Sequence, residues 1–232
     1  MSLRITRGLV SIVLLTAASI GVCANPQLDT SAKAELSFDG LLPLKKTKLR
    51  DVWVREGFDL SGYTKLKLGG AVIQYRPVKD APRTTRARSS QNEYPLSDSA
   101  KEKLQEIIFE EFQKALKKLE RYEIVESSGP DVLTVRGAFL DVVSLVPPDG
   151  PGRTDYYLSA VGQAAFVLEL IDSQSDAVLV RAVDARAMET PGYTYRSNPV
   201  TNASEAQRLF ARWSQIVVDA LNTVTSMEEL SK

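Results

Sequence analysis

Alternation of apolar and polar residues predicts three consecutive strands in the second half of the chain. The strands are predicted over Val132–Val146, Gln163–Ile171 and Val178–Asp184. Period-two alternation in segments bounded by turn residues is the clearest strand pattern that a single sequence offers. The polar segment Asp172–Asp176 separates the last two strands, and a turn of this length predicts that they form an antiparallel hairpin.

Apolar residues at helical spacing predict two amphipathic helices, one before these strands and one after them. The first helix covers Ala100–Leu119, and the second runs from about Ala203 to Thr223. Ser99 begins a capping box for the first helix, and Ser97 is the alternative cap. A further strand, Lys65–Tyr75, precedes this helix.

The resulting element order, β-α-β-β-β-α, predicts an α/β (α+β) fold. We expect a two-layer sandwich, in which a mixed sheet of four to five strands packs one face against both amphipathic helices. The helical crossover from Lys65–Tyr75 to Val132–Val146 is expected to be right-handed and to make these two strands parallel. The expected organisation is a signal peptide (1–24), an extended leader (25–50), a single α/β domain (51–225) and a tail (226–232).

The first residues of the chain have the pattern of an export signal. Arg4 and Arg7 precede the apolar run Leu9–Ile20, which is too short to be interpreted as a membrane span. This pattern predicts a periplasmic or other extracytoplasmic protein.

Two ways of processing the signal remain open. Cleavage after Ala24 would produce a protein that begins at Asn25. Alternatively, the lipobox-like run that ends at Cys23 would make this cysteine a lipidated first residue and an outer-membrane anchor. We favour cleavage after Ala24, because Val22 stands where a lipobox prefers glycine, alanine or serine.

Charge and composition narrow the classes of function. The full chain has a net charge of 0, and removal of residues 1–24 removes two arginines and no acidic residue, which leaves about −2. This charge does not indicate a nucleic-acid partner. The chain has no histidine and one cysteine, so the usual catalytic triad and most zinc sites are excluded, and we expect no metal or cofactor.

Carboxylates on the predicted strands are the candidates for acid–base chemistry, namely Asp141, Glu169 and Asp184. The alternative is that they lie on the solvent face or form ion pairs with arginines of neighbouring strands. The candidate arginines are Arg136, Arg181 and Arg186. We expect this alternative and therefore no enzyme, although a carboxylate-based cell-wall hydrolase remains a second hypothesis.

Three loops are expected to converge at one end of the sheet, because the strands before them all finish there. The loops are Arg76–Pro95, Pro147–Thr154 and Pro191–Asn202. The candidate binding residues are Arg83, Arg86, Arg88, Arg153, Tyr156, Tyr193, Tyr195 and Arg196. Arginine beside tyrosine is typical of interfaces and of sites for anions. The sequence therefore predicts a binding or adaptor module for an envelope protein, an anionic glycan or a lipid head group. A lipid or glycan carrier, or three unrelated surface loops, are the alternatives.

Several segments resemble a known family in the same order. Trp53–Tyr63 resembles the W-x-x-x-G-F-D-L-S-x-Y stretch of the domain of unknown function 3313, and Ser37–Leu42 resembles the element before it. Leu170–Ser175 and Ala182–Arg186 resemble the family's hairpin and its following strand. The resemblance covers about Ser37 to Val224 and implies an exported bacterial protein, often a lipoprotein, with no established activity and no catalytic residues.

Overall fold

The computed structural model describes residues 26–29, 31, 35–78, 93–148 and 155–223. These residues form strands β1 to β10 and helices α1 and α2. In chain order the strands are β1 (Gln27–Leu28), β2 (Leu42–Lys45), β3 (Asp51–Val54), β4 (Lys65–Tyr75), β5 (Glu123–Val125), β6 (Val132–Ser144), β7 (Tyr157–Leu158), β8 (Ala160–Asp172), β9 (Val178–Glu189) and β10 (Tyr195–Arg196). The helices are α1 (Asp98–Leu116) and α2 (Pro199–Thr223).

Eight of the strands form one mixed sheet in the order β1-β2-β3-β9-β8-β6-β4-β5. Strand β4 runs parallel to β5 and β6, and all other neighbours in the sheet are antiparallel. The mixed α+β architecture is therefore confirmed, whereas the predicted four to five strands and the order β-α-β-β-β-α are wrong. The additional strands β1, β2, β3 and β5 are two to four residues long, too short for alternation to identify them.

Both helices cover the same face of the sheet and bury an aromatic cluster there. Phe139 of β6 stacks on Phe166 of β8, with ring centroids 5.2 Å apart. The ring of Phe112 in α1 lies 5.7 Å from that of Phe139, and the ring of Trp213 in α2 lies 5.3 Å from that of Phe166. Two amphipathic helices on one sheet face are confirmed, and the core lies between the two layers.

Capping side chains mark where each helix begins. Ser97 caps α1 by accepting a hydrogen bond from the backbone N–H of Ala100 at 3.2 Å, so the alternative cap is the one in use. Helix α2 begins at Pro199, earlier than the predicted start at Ala203. The side chain of Asn198 accepts two backbone N–H groups of the first turn of α2, each at 3.0 Å. Proline fits the first helical position because the N–H it lacks would have no intrahelical partner there.

Three long strands finish at one end of the sheet, here called the loop end. Strands β4, β6 and β9 finish at the end where β8 begins, so the segments that follow Tyr75, Ser144 and Glu189 start side by side. The backbone of Tyr94 pairs with Ser144, and β7 pairs with β10 in a two-stranded ribbon. This topology brings together the described ends of the three predicted loops, whereas residues 79–92 and 149–154 lie outside the described residues.

The opposite face of the sheet carries ion pairs and part of the leader. Glu169 is an odd number of residues from Phe166 along β8 and therefore projects to the face away from the helices. Arg181 of β9 donates to Glu169 at 2.9 Å and to Asp39 of the leader at 2.7 Å. The guanidinium of Arg181 also lies 4.5 Å from the ring centre of Phe38. These contacts attach the leader to the sheet.

The two edges of the sheet are irregular. The outermost strands are β1, with two residues, and β5, with three. Beyond the end of β5, strand β4 contains a register shift at Gly69 and Gly70, and Gly70 adopts a φ of +87° that favours glycine. On the other side, β2 contains Pro43, which has no N–H for strand pairing.

Candidate functional site

An open cleft of about 400 Å³ lies at the loop end, between the segment after β9 and the first turns of α2. Its lining residues are Thr190, Tyr193, Thr194, Tyr195, Thr201, Ser204, Glu205 and Arg208. Six of these eight side chains carry a hydroxyl group, and the other two are a carboxylate and a guanidinium. Every lining side chain thus carries a polar group, although carbon atoms contribute most of the accessible lining surface. The volume of the cleft is within the usual range for small-molecule sites, about 300–1,000 Å³.

Helix periodicity builds one wall of the cleft, and a tight turn builds the other. The α2 residues of the wall are Thr201, Ser204, Glu205 and Arg208, which follow the i, i+3, i+4, i+7 spacing of a single helix face. On the other side, Gly192 adopts a φ of +80° in the turn after β9. The N–H of Tyr193 donates to the carbonyl of Thr190 at 3.1 Å and closes this turn. Both walls are thus fixed by backbone geometry.

A buried carboxylate and an exposed arginine form an ion pair in the lining of the cleft. Glu205 is only 5% exposed, and its carboxylate accepts a hydrogen bond from the Thr190 hydroxyl at 2.9 Å. Arg208 pairs with the same carboxylate through Nη1, and this nitrogen also lies 2.6 Å from the Thr190 hydroxyl oxygen. A buried carboxylate needs such partners, because an unpaired charge would be costly to remove from water. The two charges of the cleft therefore cancel.

The two tyrosines of the cleft have different environments. The hydroxyl of Tyr195 donates to the carbonyl of Met188 at 3.4 Å. Burial raises the pKa of Tyr195 to about 12, and the nearby charges of Glu205 and Glu189 act in the same direction. Its phenol therefore stays protonated at physiological pH. Tyr193, in contrast, is 69% exposed at the rim.

The predicted binding residues divide into those near the cleft and those outside the described chain. Tyr193 and Tyr195 line the cleft, whereas Arg196 lies in the adjoining ribbon and pairs with Asp155 at 2.7 Å. The carbonyl of Tyr156 accepts the N–H of Ser197 at 2.8 Å, which places this tyrosine beside the same ribbon. Arg83, Arg86, Arg88, Arg153 and the lipidation candidate Cys23 lie outside the described residues. Sequence reasoning missed Thr190, Glu205 and Arg208.

Two of the candidate acid–base residues are held in ion pairs on the face of the sheet away from the helices. Asp141 accepts from Arg76 at 2.6 Å, and hydrogen bonding to this arginine lowers the pKa of Asp141. These two residues line a smaller cleft of about 170 Å³. Glu169 pairs with Arg181. Each of these two carboxylates therefore forms an ion pair with an arginine.

The third candidate, Asp184, is buried on the helix side of the sheet. Its carboxylate accepts the indole N–H of Trp213 at 2.8 Å and pairs with Arg186. Asp184 lies opposite Phe166 in the β8–β9 register, so it projects to the face opposite that of Glu169. These two carboxylates therefore do not share a cleft.

The described residues contain neither a metal-binding group of side chains nor a membrane-spanning helix. No group of three or more histidine, cysteine, aspartate or glutamate side chains among them is placed to hold a metal ion. No helix in this part of the chain is long and apolar enough to cross a membrane.

Fold and cleft together define a two-layer α+β domain with a polar recess at one end of its sheet. The chain belongs to the family described as Protein of unknown function (DUF3313), whose model matches residues 34–217. The resemblance noted in the sequence is thereby confirmed. None of the curated proteins compared with the chain matches it.

Solved structures of proteins from two bacteria show similarity over most of the chain. The PelC dodecamer from Paraburkholderia phytofirmans has 14% sequence identity and a TM-score of 0.33, with 72% of this chain and 95% of that chain covered. Protein XCC0632 from Xanthomonas campestris has 12% identity and a TM-score of 0.38, with 74% of this chain and 89% of that chain covered.

Proposed function

We propose that this protein is an exported binding module of the bacterial cell envelope and that the loop end is its recognition surface. One observation carries this proposal: three large side chains with apolar surface are exposed together at this end. Tyr157 is 66% exposed, Tyr193 is 69% exposed and Val200 is 75% exposed. They lie on β7, before β10 and in the first turn of α2, three segments that the β7–β10 ribbon and the Asn198 cap hold together. Exposed tyrosine beside arginine is typical of protein interfaces.

The ion pairing of the three candidate carboxylates further supports a binding role. Asp141, Glu169 and Asp184 each bond to an arginine, and Glu169 and Asp184 project to opposite faces of the sheet. A carboxylate-based glycoside hydrolase would need two carboxylates that face one substrate. We therefore favour a module without catalytic activity or cofactor, and keep a glycan or lipid carrier as the second candidate because of the cleft.

The proposed location and partner follow from the export signal of residues 1–24. An exported protein meets envelope proteins, glycans and lipid head groups, and we propose an envelope protein as the partner of the loop end. Direct attachment to the membrane would require a lipid on Cys23.

Loss of exposed loop-end side chains should strongly reduce partner capture. We expect the double variant Tyr157→Ala, Arg196→Glu to reduce crosslinked partner recovered from native envelopes by about tenfold or more, because exposed tyrosine and arginine dominate binding at many interfaces. The measurement is quantitative mass spectrometry of proteins captured by the tagged mature chain.

The matched control removes an aromatic ring and reverses a charge elsewhere. Phe109 of α1 is 63% exposed, and Lys67 lies near the start of β4, away from the loop end. The variant Phe109→Ala, Lys67→Glu should capture the partner as the wild type does. Equal capture by the wild type and both variants would refute the proposed surface.

The mature protein is expected to begin at Asn25. Val22 and Ala24 fit cleavage by an ordinary signal peptidase, whereas Val22 is a poor residue before a lipidated cysteine. Intact-mass measurement of the protein isolated from its native host tests this expectation. A mass that includes a diacylglyceryl group on Cys23 would contradict it and would establish a lipoprotein.

A further inference from the structure

We propose that the loop-end cleft binds an uncharged saccharide. This inference deepens the proposed function, because it rests on the loop end being a recognition surface and assigns a ligand class to its recess. It also differs from the anionic ligand that the arginine-rich loops suggested. Three features of the cleft carry it: its charge, its hydrogen-bonding groups and one exposed aromatic ring.

The charge of the cleft favours a neutral ligand. Its one carboxylate, Glu205, and its one guanidinium, Arg208, form an ion pair within the lining. The neighbouring arginine, Arg196, is paired with Asp155. A bound anion would have to compete with these carboxylates for the guanidinium groups, and a bound cation would face the opposite competition. An uncharged molecule avoids both costs.

The hydrogen-bonding groups of the cleft match a molecule with many hydroxyl groups. The side chain of Arg208 is 61% exposed, and among the described residues its bonds to Glu205 and Thr190 use Nη1 alone. Its other guanidinium N–H groups therefore remain as donors. Hydroxyl groups of the lining can both donate and accept, as those of a sugar can. Carboxylate oxygens can also accept more than one hydrogen bond each.

An aromatic ring at the rim completes the arrangement. Tyr193 is held by the turn that closes on Thr190, and 69% of this residue is exposed. A tyrosine offers a flat apolar face with a polar tip, which suits the mixed apolar and polar surface of a sugar ring. Concave sites of this kind combine an aromatic surface with a few polar groups that fix the ligand's orientation.

Titration of the full mature chain with defined oligosaccharides tests the inference. The neutral probes are the tetrasaccharides of glucose, mannose and N-acetylglucosamine, and the charged probe is tetragalacturonate. We expect calorimetric binding of at least one neutral probe and weaker binding of tetragalacturonate. No binding of any neutral probe, or stronger binding of tetragalacturonate, would overturn the inference.

Matched aromatic variants locate the site. Tyr193→Ala should weaken binding of the neutral probe by about tenfold, since it removes the ring at the rim. Phe109→Ala removes a ring of similar exposure on α1 that does not line the cleft, and it should leave the affinity unchanged. Equal affinities for the two variants would place the sugar elsewhere and reject the cleft.

A charge variant tests the electrostatic argument directly. Glu205→Gln keeps the shape of the side chain but leaves Arg208 without its counter-charge, so the preference should shift from the neutral probe toward tetragalacturonate. Circular dichroism should be used to check that the variant is folded. Adding Arg208→Gln to Glu205→Gln restores the neutrality of the cleft and should reverse the shift. An unchanged preference in folded Glu205→Gln would contradict the inference.

The failure of this inference can be distinguished from that of the proposed function. If partner capture depends on Tyr157 and Arg196 but no neutral probe binds, the loop end is a protein-binding surface without a sugar site. If a neutral probe binds through Tyr193 but capture is unaffected by the loop-end variants, the saccharide site stands and the proposed protein partner does not.

Discussion

Replacing Trp213 by alanine should lower the free energy of unfolding by about 3–5 kcal/mol, the usual cost of truncating a fully buried large aromatic residue. Trp213 is 0% exposed and lies at the centre of the interface between α2 and the sheet. Its ring stacks on Phe166 and lies 6.2 Å from the ring of Phe139. The substitution would leave a cavity and would also remove the indole N–H that donates to Asp184. Denaturant titration measures the loss.

Two further variants separate packing from hydrogen bonding. Trp213→Phe keeps most of the ring but leaves the buried carboxylate of Asp184 with one donor fewer, so we expect a loss of about 1–3 kcal/mol. Trp53 is the control, because it is only partly buried and its indole N–H bonds to the carbonyl of Glu35. Trp53→Ala should cost clearly less than Trp213→Ala. A loss below ~1 kcal/mol for Trp213→Ala would refute its central place in the core.

Replacing Arg181 by methionine should destabilise the protein by about 2–4 kcal/mol, since it leaves a partly buried carboxylate without its main partner. Arg181 bridges Glu169 of the sheet and Asp39 of the leader. After its removal, the one remaining cation near Glu169 among the described residues is Arg136, at 3.8 Å. Methionine retains an unbranched apolar stem, so the loss reports mainly on charge. The expected loss of stability is smaller than for a fully buried ion pair, because Asp39 is partly exposed.

The dependence of stability on pH provides the control for the Arg181 variant. Hydrogen bonding to Arg181, more than any other cause, lowers the pKa of Asp39 to about 2 from an ordinary value of 3.8. Because the pKa is lower in the folded state, this contribution is present above pH 3.8 and is lost as the pH falls toward 2. Wild-type stability should therefore fall more steeply than that of Arg181→Met between these pH values. Parallel curves, or no coupling energy in a double-mutant cycle with Asp39→Asn, would contradict the role of this pair.

Long periodic segments made the central part of the fold predictable. The β6, β8 and β9 strands have 12 or 13 residues each. Alternation of burial is regular in β8 from Gly162 to Leu170, whereas a register shift interrupts it in β6. The strands β1 and β2 lie within the predicted leader, where two to four residues give no measurable period. They join the sheet through β3, which pairs with the distant strand β9, for example Val52 with Ala182. Such tertiary contacts are not encoded in a local pattern.

The candidate site is predictable from the sequence only where a single loop carries it. The composition of that loop indicates Tyr193 and Tyr195, whereas Glu205 and Arg208 are not among the predicted binding residues. The helix spacing that joins them to Thr201 was present in the sequence, yet a predicted start at Ala203 placed Thr201 outside the helix. Recognition of Asn198 as the cap, with proline next to it, would have revealed the complete polar face.

The irregular sheet edges bear on how a partner can attach. Addition of a partner's strand to an edge requires a straight row of free backbone N–H and C=O groups. The outermost strands β1 and β5 offer two and three residues, the glycine bulge interrupts β4, and Pro43 removes a donor from β2. These features disfavour β-augmentation and the edge-to-edge polymerisation that can follow from it. Recognition by this domain should therefore depend on side chains at the loop end and remain sensitive to single substitutions there.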